Sequence, residues 1–231
     1  MPHDGFFTAR WIRRWGASEF DLFDDSTGDG CFMALGHDYE MQDCPIARAL
    51  ELVGERWTLL IIRDCFLGVS RFNDFLAHLD IPKGVLSARL EKLASAGILH
   101  KRKYSPRQYD YLLTARGTML WPIVYGFAAW GDEHHAPSAG ARRLFSHLDC
   151  CSRIDSHGLC PTCKIIPAPN EIEICNGPGA DLDLRGDPVT QALFSPHRIL
   201  APLKISTGEA ETGASQRGDT KRQRKKAGSS V

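Results

Sequence analysis

The chain has 231 residues, 43% hydrophobic and 24% charged, with 28 Lys and Arg against 28 Asp and Glu. This is the composition of an ordinary globular protein with room for one medium domain plus extras, and no apolar run approaches the ~20 residues that span a bilayer. The opening residues show no basic stretch followed by an apolar core, so no secretory signal is expected and a cytoplasmic location is the default.

A net charge of zero would argue against a nucleic-acid partner, but the charge is unevenly distributed. Residues 1–43 hold three Arg against nine acids, whereas residues 44–137 hold twelve Lys and Arg against nine acids. The C-terminal end carries Arg217, Lys221, Arg222, Arg224, Lys225 and Lys226 against Asp219. Eight cysteines fit no secreted disulfide scaffold in a chain of this length. Four of them cluster between 150 and 163 at metal-like spacing, and Cys31, Cys44, Cys65 and Cys175 are scattered.

Residues 1–43 read as irregular, with DDSTGDG at 24–30, and translation is expected to begin at Met33. From Cys44 a helical period appears. Ile46, Leu50 and Val53 predict a first short helix, and Gly54 interrupts it. Trp57, Leu60, Ile61, Asp64 and Cys65 continue a second helix to Gly68, a candidate C′ glycine. Ser70 is the expected cap of a third, which buries Phe72, Phe75, Leu76 and Leu79. Pro82 suits the first turn of a fourth, which buries Val85, Leu86, Leu90 and Leu93 and ends at Gly97. Ile98–Tyr104 and Tyr109–Leu113 read as two strands joined by Ser105–Gln108. Thr114 caps a last helix running to His134–Pro137, with Leu120, Ile123, Val124, Phe127 and Trp130 at helical spacing. The expected fold class is mainly α with a small β-hairpin wing (α+β), a winged helix-turn-helix, plus a small Cys/His-rich C-terminal module.

In such an arrangement the fourth helix enters the DNA major groove and its N-terminal residues reach base edges. The buried stripe leaves Lys83, Gly84, Ser87, Ala88, Glu91 and Lys92 outward, with Arg89 at the flank. The hairpin adds Lys101, Arg102, Lys103 and Arg107. The candidate DNA-binding residues are therefore Lys83, Ser87, Arg89, Lys92, Lys101, Arg102, Lys103 and Arg107. The alternative is a solvated helix face and a polar turn.

The stretches CPIARALELVGERWTLLIIRDCFLGVSRFNDFLAHL (44–79), IPKGVLSARLEKLASAGIL (81–99) and YDYLLTARG (109–117) resemble the HxlR-type family of winged helix regulators. The resemblance covers Cys44 to His135. It implies a DNA-binding transcriptional regulator without enzymatic activity, a repressor associated with the nucleoid. It also implies a homodimer, built from the first and last helices, on a two-fold symmetric operator. The wing is short and lacks the paired prolines of many relatives. Cys44 stands where some members of the family keep a redox-sensing cysteine. A helix N-terminus favours thiolate, and Arg48 lies one turn on, so Cys44 is the candidate sensor; an inert structural cysteine is the alternative. Cys65, among apolar residues, reads as core.

Past the last helix, His147-x2-Cys150 and Cys160-x2-Cys163 form two pairs at the spacing of tetrahedral zinc sites. Cys151 and His157 are alternative ligands. A structural zinc is expected from His147, Cys150, Cys160 and Cys163, and a redox dithiol or a metal-free cluster would be the alternatives. The extension looks like the zinc-ribbon-like appendages of some relatives. Residues 171–175 alternate like a strand, and the tail, rich in Gly, Ser and Thr and basic at its end, is expected to be disordered. The expected organisation is 1–43 irregular, 44–137 winged helix-turn-helix, 144–202 zinc-ribbon-like and 203–231 basic tail. The competing functions are a winged-helix adaptor that contacts protein, and an enzyme that uses the Cys/His cluster as a metal or redox centre. No small-molecule effector is legible.

Overall fold

The computed structural model describes Tyr39 and residues 41–205. The acidic N-terminal segment with Cys31 and the Met33 start, and the basic tail from 206 on, lie outside the described residues.

Four helices open the fold: α1 (Pro45–Val53), α2 (Thr58–Phe66), α3 (Phe72–Leu79) and α4 (Lys83–Ser95). A hairpin of β1 (Leu99–Ser105) and β2 (Gln108–Leu113) follows, then α5 (Ala115–Thr118) and α6 (Trp121–His135). The chain then forms β3 (Arg143–His147), β4 (Ile172–Asn176), α7 (Pro188–Ala192) and β5 (His197–Arg198). β3, β4 and β5 make a second antiparallel sheet in that order, with Phe145 opposite Ile174. No helix among the described residues is long and apolar enough to cross a membrane.

The helical periods predict much of the core. Ile61 and Cys65 of α2, Phe75 and Leu79 of α3, and Leu86, Leu90 and Leu93 of α4 are buried as expected; Ile62 and Phe66 are buried as well, whereas Leu60 is exposed. Each such side chain contributes about 1.5–3 kcal/mol on leaving water, so the three leucines hold the inner face of α4 firmly while its outer face stays exposed. The extension adds Ile154, Ile172, Ile174, Val189, Leu193 and Ile199 to the same hydrophobic cluster. Its last residues cross the end of α2, where Leu200 N–H donates to the Phe66 carbonyl at 2.7 Å and Leu203 N–H to that of Gly68 at 3.2 Å. Gly68 therefore has two reasons to lack a side chain. Its φ is +83°, and an added Cβ would fall 1.9 Å from the Ala201 carbonyl oxygen.

Two sequence expectations need correction. Ser70 does not cap α3; the cap position is Arg71, without a side-chain bond. The Ser70 hydroxyl instead donates to Asp110 Oδ1 at 3.4 Å, and its carbonyl accepts from Tyr111 N–H at 2.8 Å, which ties the entry of α3 to the hairpin. The last helix is also interrupted. Thr114 does cap a helix, accepting from Gly117 N–H at 3.1 Å, but that helix is only α5. Pro122 then stands in the first turn of α6, where a missing N–H costs nothing. Gly117 lies so close to the Ile98 carbonyl that a Cβ would fall 2.3 Å from its oxygen, which accounts for the glycine that closes YDYLLTARG.

The stripe expected on the last helix is only partly buried. Trp121, Val124 and Tyr125 face the core, whereas Ile123, Phe127 and Trp130 are exposed. Ile46 and Leu50 of α1 and Met119 are exposed as well.

Candidate nucleic-acid interface and Cys/His centre

Helix α4 presents Lys83, Gly84, Ser87 and Ala88 to solvent within its first two turns, so the small residues leave room for close approach to a groove. Lys92 is half-buried in the last turn. Arg89 is engaged within the protein: its Nη2 donates to Glu55 Oε2 at 2.8 Å, and its buried Nε has no hydrogen-bond partner among the described residues. Any contact it makes with DNA has to compete with Glu55.

In the wing, Lys103 and Arg107 are exposed, with Arg107 in the two-residue turn between β1 and β2. Lys101 pairs with Glu91 of α4 and lies over the Tyr111 ring, joining wing to helix. Arg102 pairs at 2.8 Å with Asp110, the buried carboxylate that also accepts from Ser70. Of the eight expected contacts, Lys83, Ser87, Lys103 and Arg107 are thus exposed without an ion pair among the described residues, and Arg89, Lys101 and Arg102 have acidic partners.

The second site is the Cys/His cluster. One ligand atom from each of His147, Cys150, Cys160 and Cys163 lies within 4.8 Å of all the others. A tetrahedral zinc with bonds of about 2.3 Å to sulfur sets its ligand atoms about 3.8 Å apart, so this set is close to the required size. Cys150 Sγ is 3.4 Å from Cys160 Sγ and 3.5 Å from His147 Nδ1. His147 is almost fully buried, and its Nε2 has no hydrogen-bond partner among the described residues. Nδ1 is the nitrogen beside the Cys150 sulfur, and Nε2 lies 3.9 Å from Asp149 Oδ2, a carboxylate on the side from which a ligating imidazole is oriented.

The backbone explains the choice of ligands. The two loops are built alike. Each closes on a residue of left-handed conformation, Cys151 (φ +56°) in one and Lys164 (φ +60°) in the other. In each, that residue's N–H donates to the carbonyl of the first ligand: Cys151 to His147 at 2.8 Å and Lys164 to Cys160 at 2.9 Å. Ser152 and Thr162 hydroxyls, 2.6 Å apart, bridge the pair. Cys151 is consumed by the turn and its thiol is exposed, and His157 sits exposed in another turn, so neither joins the cluster. Without metal, the bonds from Ser152, with those from Cys160 and Cys163, bring the Cys150 thiol down to about 6, and hydrogen bonding to Cys150 with burial pushes Cys163 up to about 12.

Cys44 is half-exposed at the N-cap of α1, and Cys65 is buried, its thiol pushed well up by burial and by Asp64.

The sequence profile of the HxlR-like helix-turn-helix family matches residues 52–139. An uncharacterized HTH-type transcriptional regulator of Mycobacterium tuberculosis is 38% identical over 131 residues, which is 56% of this chain and 82% of the relative. The chain belongs to the HxlR-like helix-turn-helix family. The HTH-type regulator YdeP of Bacillus subtilis is 29% identical to this HxlR-like protein over 106 residues, 43% of this chain and 83% of YdeP. Among solved structures, the redox regulator HypR in its oxidized form is 29% identical, with a TM-score of 0.38, over 41% of this chain and all of that one.

This HxlR-like protein is a DNA-binding transcriptional regulator of the winged helix type, and its Cys/His group could hold a metal ion. The family match ends at residue 139, so β3 to β5 and the Cys/His loops lie beyond it. The sequence reading missed the engagement of Arg89 by Glu55, for which the acidic residue after Gly54 was the available signal. It also missed β3, whose Arg-x-Phe-x-His alternation at 143–147 was legible.

Proposed function

We propose that this HxlR-like regulator is a cytoplasmic, nucleoid-associated homodimeric repressor that lays α4 in successive major grooves of a two-fold symmetric operator. The observation that carries the reading is the exposed N-terminal face of α4, with Lys83, Ser87 and small neighbours, beside the exposed cations Lys103 and Arg107 of the wing. Ser87 and its small neighbours face the groove for base contacts, and Lys83 with the wing cations supplies salt-dependent phosphate affinity.

The dimer reading is supported by the apolar residues that α1 and α6 leave in water. Trp130 and Phe127 are 57% and 62% exposed and Ile46 is 69% exposed, large apolar side chains of the kind that subunit interfaces cover. In this reading the extension carries a structural zinc on His147, Cys150, Cys160 and Cys163. The metal supplies a cross-link between two loops, its four ligands leave no open position for catalysis, and no enzymatic role is proposed.

Fluorescence anisotropy with the DNA upstream of the protein's own gene, against an unrelated duplex and over a salt series, tests the reading. Specific binding of two chains per duplex, weakening steeply with salt, is the expected result. Equal binding to both duplexes, or none, would favour the adaptor alternative. Mild oxidation that abolishes operator binding in the wild type but not in Cys44→Ser would assign the redox input to Cys44.

A further inference from the structure

Between the winged helix and the extension lies a cavity of about 440 Å³, within the size range of small-molecule sites. Its floor is aromatic: Phe66 of α2, Trp121 and Tyr125 of α6 and Phe145 of β3 stand in a chain of ring contacts with centroids 5.1 to 6.1 Å apart. Its polar lining is basic, with Arg63, Arg142 and Arg143 against the carboxylate of Asp132.

Two of these arginines retain unused donors. Arg63 gives Nε and Nη2 to Asp64, at 2.9 and 2.7 Å, and its Nη1 has no partner among the described residues. Arg143 gives Nη1 to two neutral acceptors, Asn176 Oδ1 and the Leu193 carbonyl, and its Nε and Nη2 have none among the described residues. Arg63 and Arg143 both line the cavity, and burial, with the charge of Arg63, holds the Arg143 guanidinium below its ordinary value. An anion in the cavity would accept charge-assisted hydrogen bonds from the unused donors of both.

We propose that this cavity binds a planar aromatic carboxylate, its ring against Trp121, Tyr125 and Phe145 and its carboxylate on Arg63 and Arg143, and that this ligand is the regulator's effector. The site joins both halves of the fold. Arg63 belongs to α2 and His78, also on the cavity wall, to the last turn of α3, just before the turn into α4. The facing wall belongs to β3, whose alternate residues Arg143, Phe145 and His147 link the cavity to the Cys/His cluster. A ligand bound more tightly by the DNA-free chain weakens DNA binding by the same factor, and the converse holds. The effector role rests on the regulator reading; the binding site does not.

Calorimetric titration of the full chain without DNA tests the site, using 1-naphthoate and its neutral isostere 1-naphthamide. The expected result is one 1-naphthoate per chain, bound at least about tenfold tighter than the amide, with a loss of about tenfold in Arg143→Gln and in Arg63→Gln. Because those variants could also disturb folding, Gly131→Leu is the second test. Gly131 lines the cavity, and an added Cβ there meets no atom within 4 Å. Leucine favours a helix over glycine, so this variant should keep or gain thermal stability while losing at least about tenfold in 1-naphthoate affinity. Equal affinity for acid and amide, no binding of either, or full binding by Gly131→Leu would overturn the site. With the site established, saturating 1-naphthoate should shift operator affinity at least about fivefold in the wild type and not in Gly131→Leu. No shift would overturn the effector role. Failure to bind operator at all, with 1-naphthoate binding intact, would count against the regulator reading and not against the site.

Discussion

His78 of α3 and Asp64 of α2 meet at 2.8 Å, Nδ1 to Oδ2, on a carboxylate with no exposed surface. The other oxygen, Oδ1, accepts from Arg63, so both oxygens of a buried charge are occupied and α2 is pinned to α3. Asp64→Ala would leave the nearly buried His78 without its partner, whereas Arg63, more than a third exposed, can turn to water. The expected cost is about 3 kcal/mol in urea unfolding, and a loss under about 0.5 kcal/mol would show that the pair does not hold the helices.

Metal content separates the readings of the Cys/His cluster. The purified chain should carry one zinc ion, and Cys160→Ser should lose it and lower the melting temperature by more than about 10 °C. Cys151→Ser should retain both, because that residue completes a turn and binds nothing. Full-length wild type with no zinc after purification in zinc-containing medium, and no gain in stability when zinc is added, would rule out the site.

The acid limb of stability should depend on Asp187. This residue caps α7, accepting at Oδ1 from Val189 and Thr190 N–H at 3.1 and 3.0 Å and at Oδ2 from the Thr190 hydroxyl at 2.6 Å. Burial pushes its carboxyl up, but the Thr190 bonds, with His78 and Arg185 nearby, outweigh burial and hold it below its ordinary value of 3.8. A depressed carboxylate contributes stability that is complete above that ordinary value and lost as pH falls through the folded one. Asp187→Ala should cost about 1 kcal/mol near neutral pH and little in strong acid. Asp187→Asn can still cap but cannot ionise, so its acid limb should be the flatter one.

Lys83 and Arg89 should behave differently although both lie on the recognition helix. Lys83→Ala removes an exposed cation, so it should weaken operator and unrelated duplex alike, reduce the salt slope by about one and leave stability unchanged. Arg89→Ala also strands Glu55 and should destabilise the fold by about 0.5–1 kcal/mol. A Lys83→Ala protein with an unchanged salt slope would remove that residue from the interface.

Much of the molecule was legible before folding was considered, because the local rules of spacing suffice for it. Leu86, Leu90 and Leu93 recur at a helical period and point one way whatever they pack against, and an x2 spacing between His147 and Cys150, or Cys160 and Cys163, lets two ligands face one point. Residues whose state depends on distant partners were not legible. Arg89 looks like any outward arginine until Glu55 is brought beside it, and Ser70 looks like a cap until Asp110 arrives from the wing.

The sequence by itself determined the inner face of α4, the hairpin and the paired spacing of the Cys/His loops, since each depends on residues a few positions apart, and the order of these elements pointed to the family. Tertiary structure decided which apolar stripe of α6 meets the core and which stays in water. It also decided that Cys150 and not Cys151 joins the cluster, and that Arg63 and Arg143 line one aromatic cavity. The physical reason is the same in each case: these outcomes depend on contacts between segments far apart in the chain, which only the packed core brings within reach.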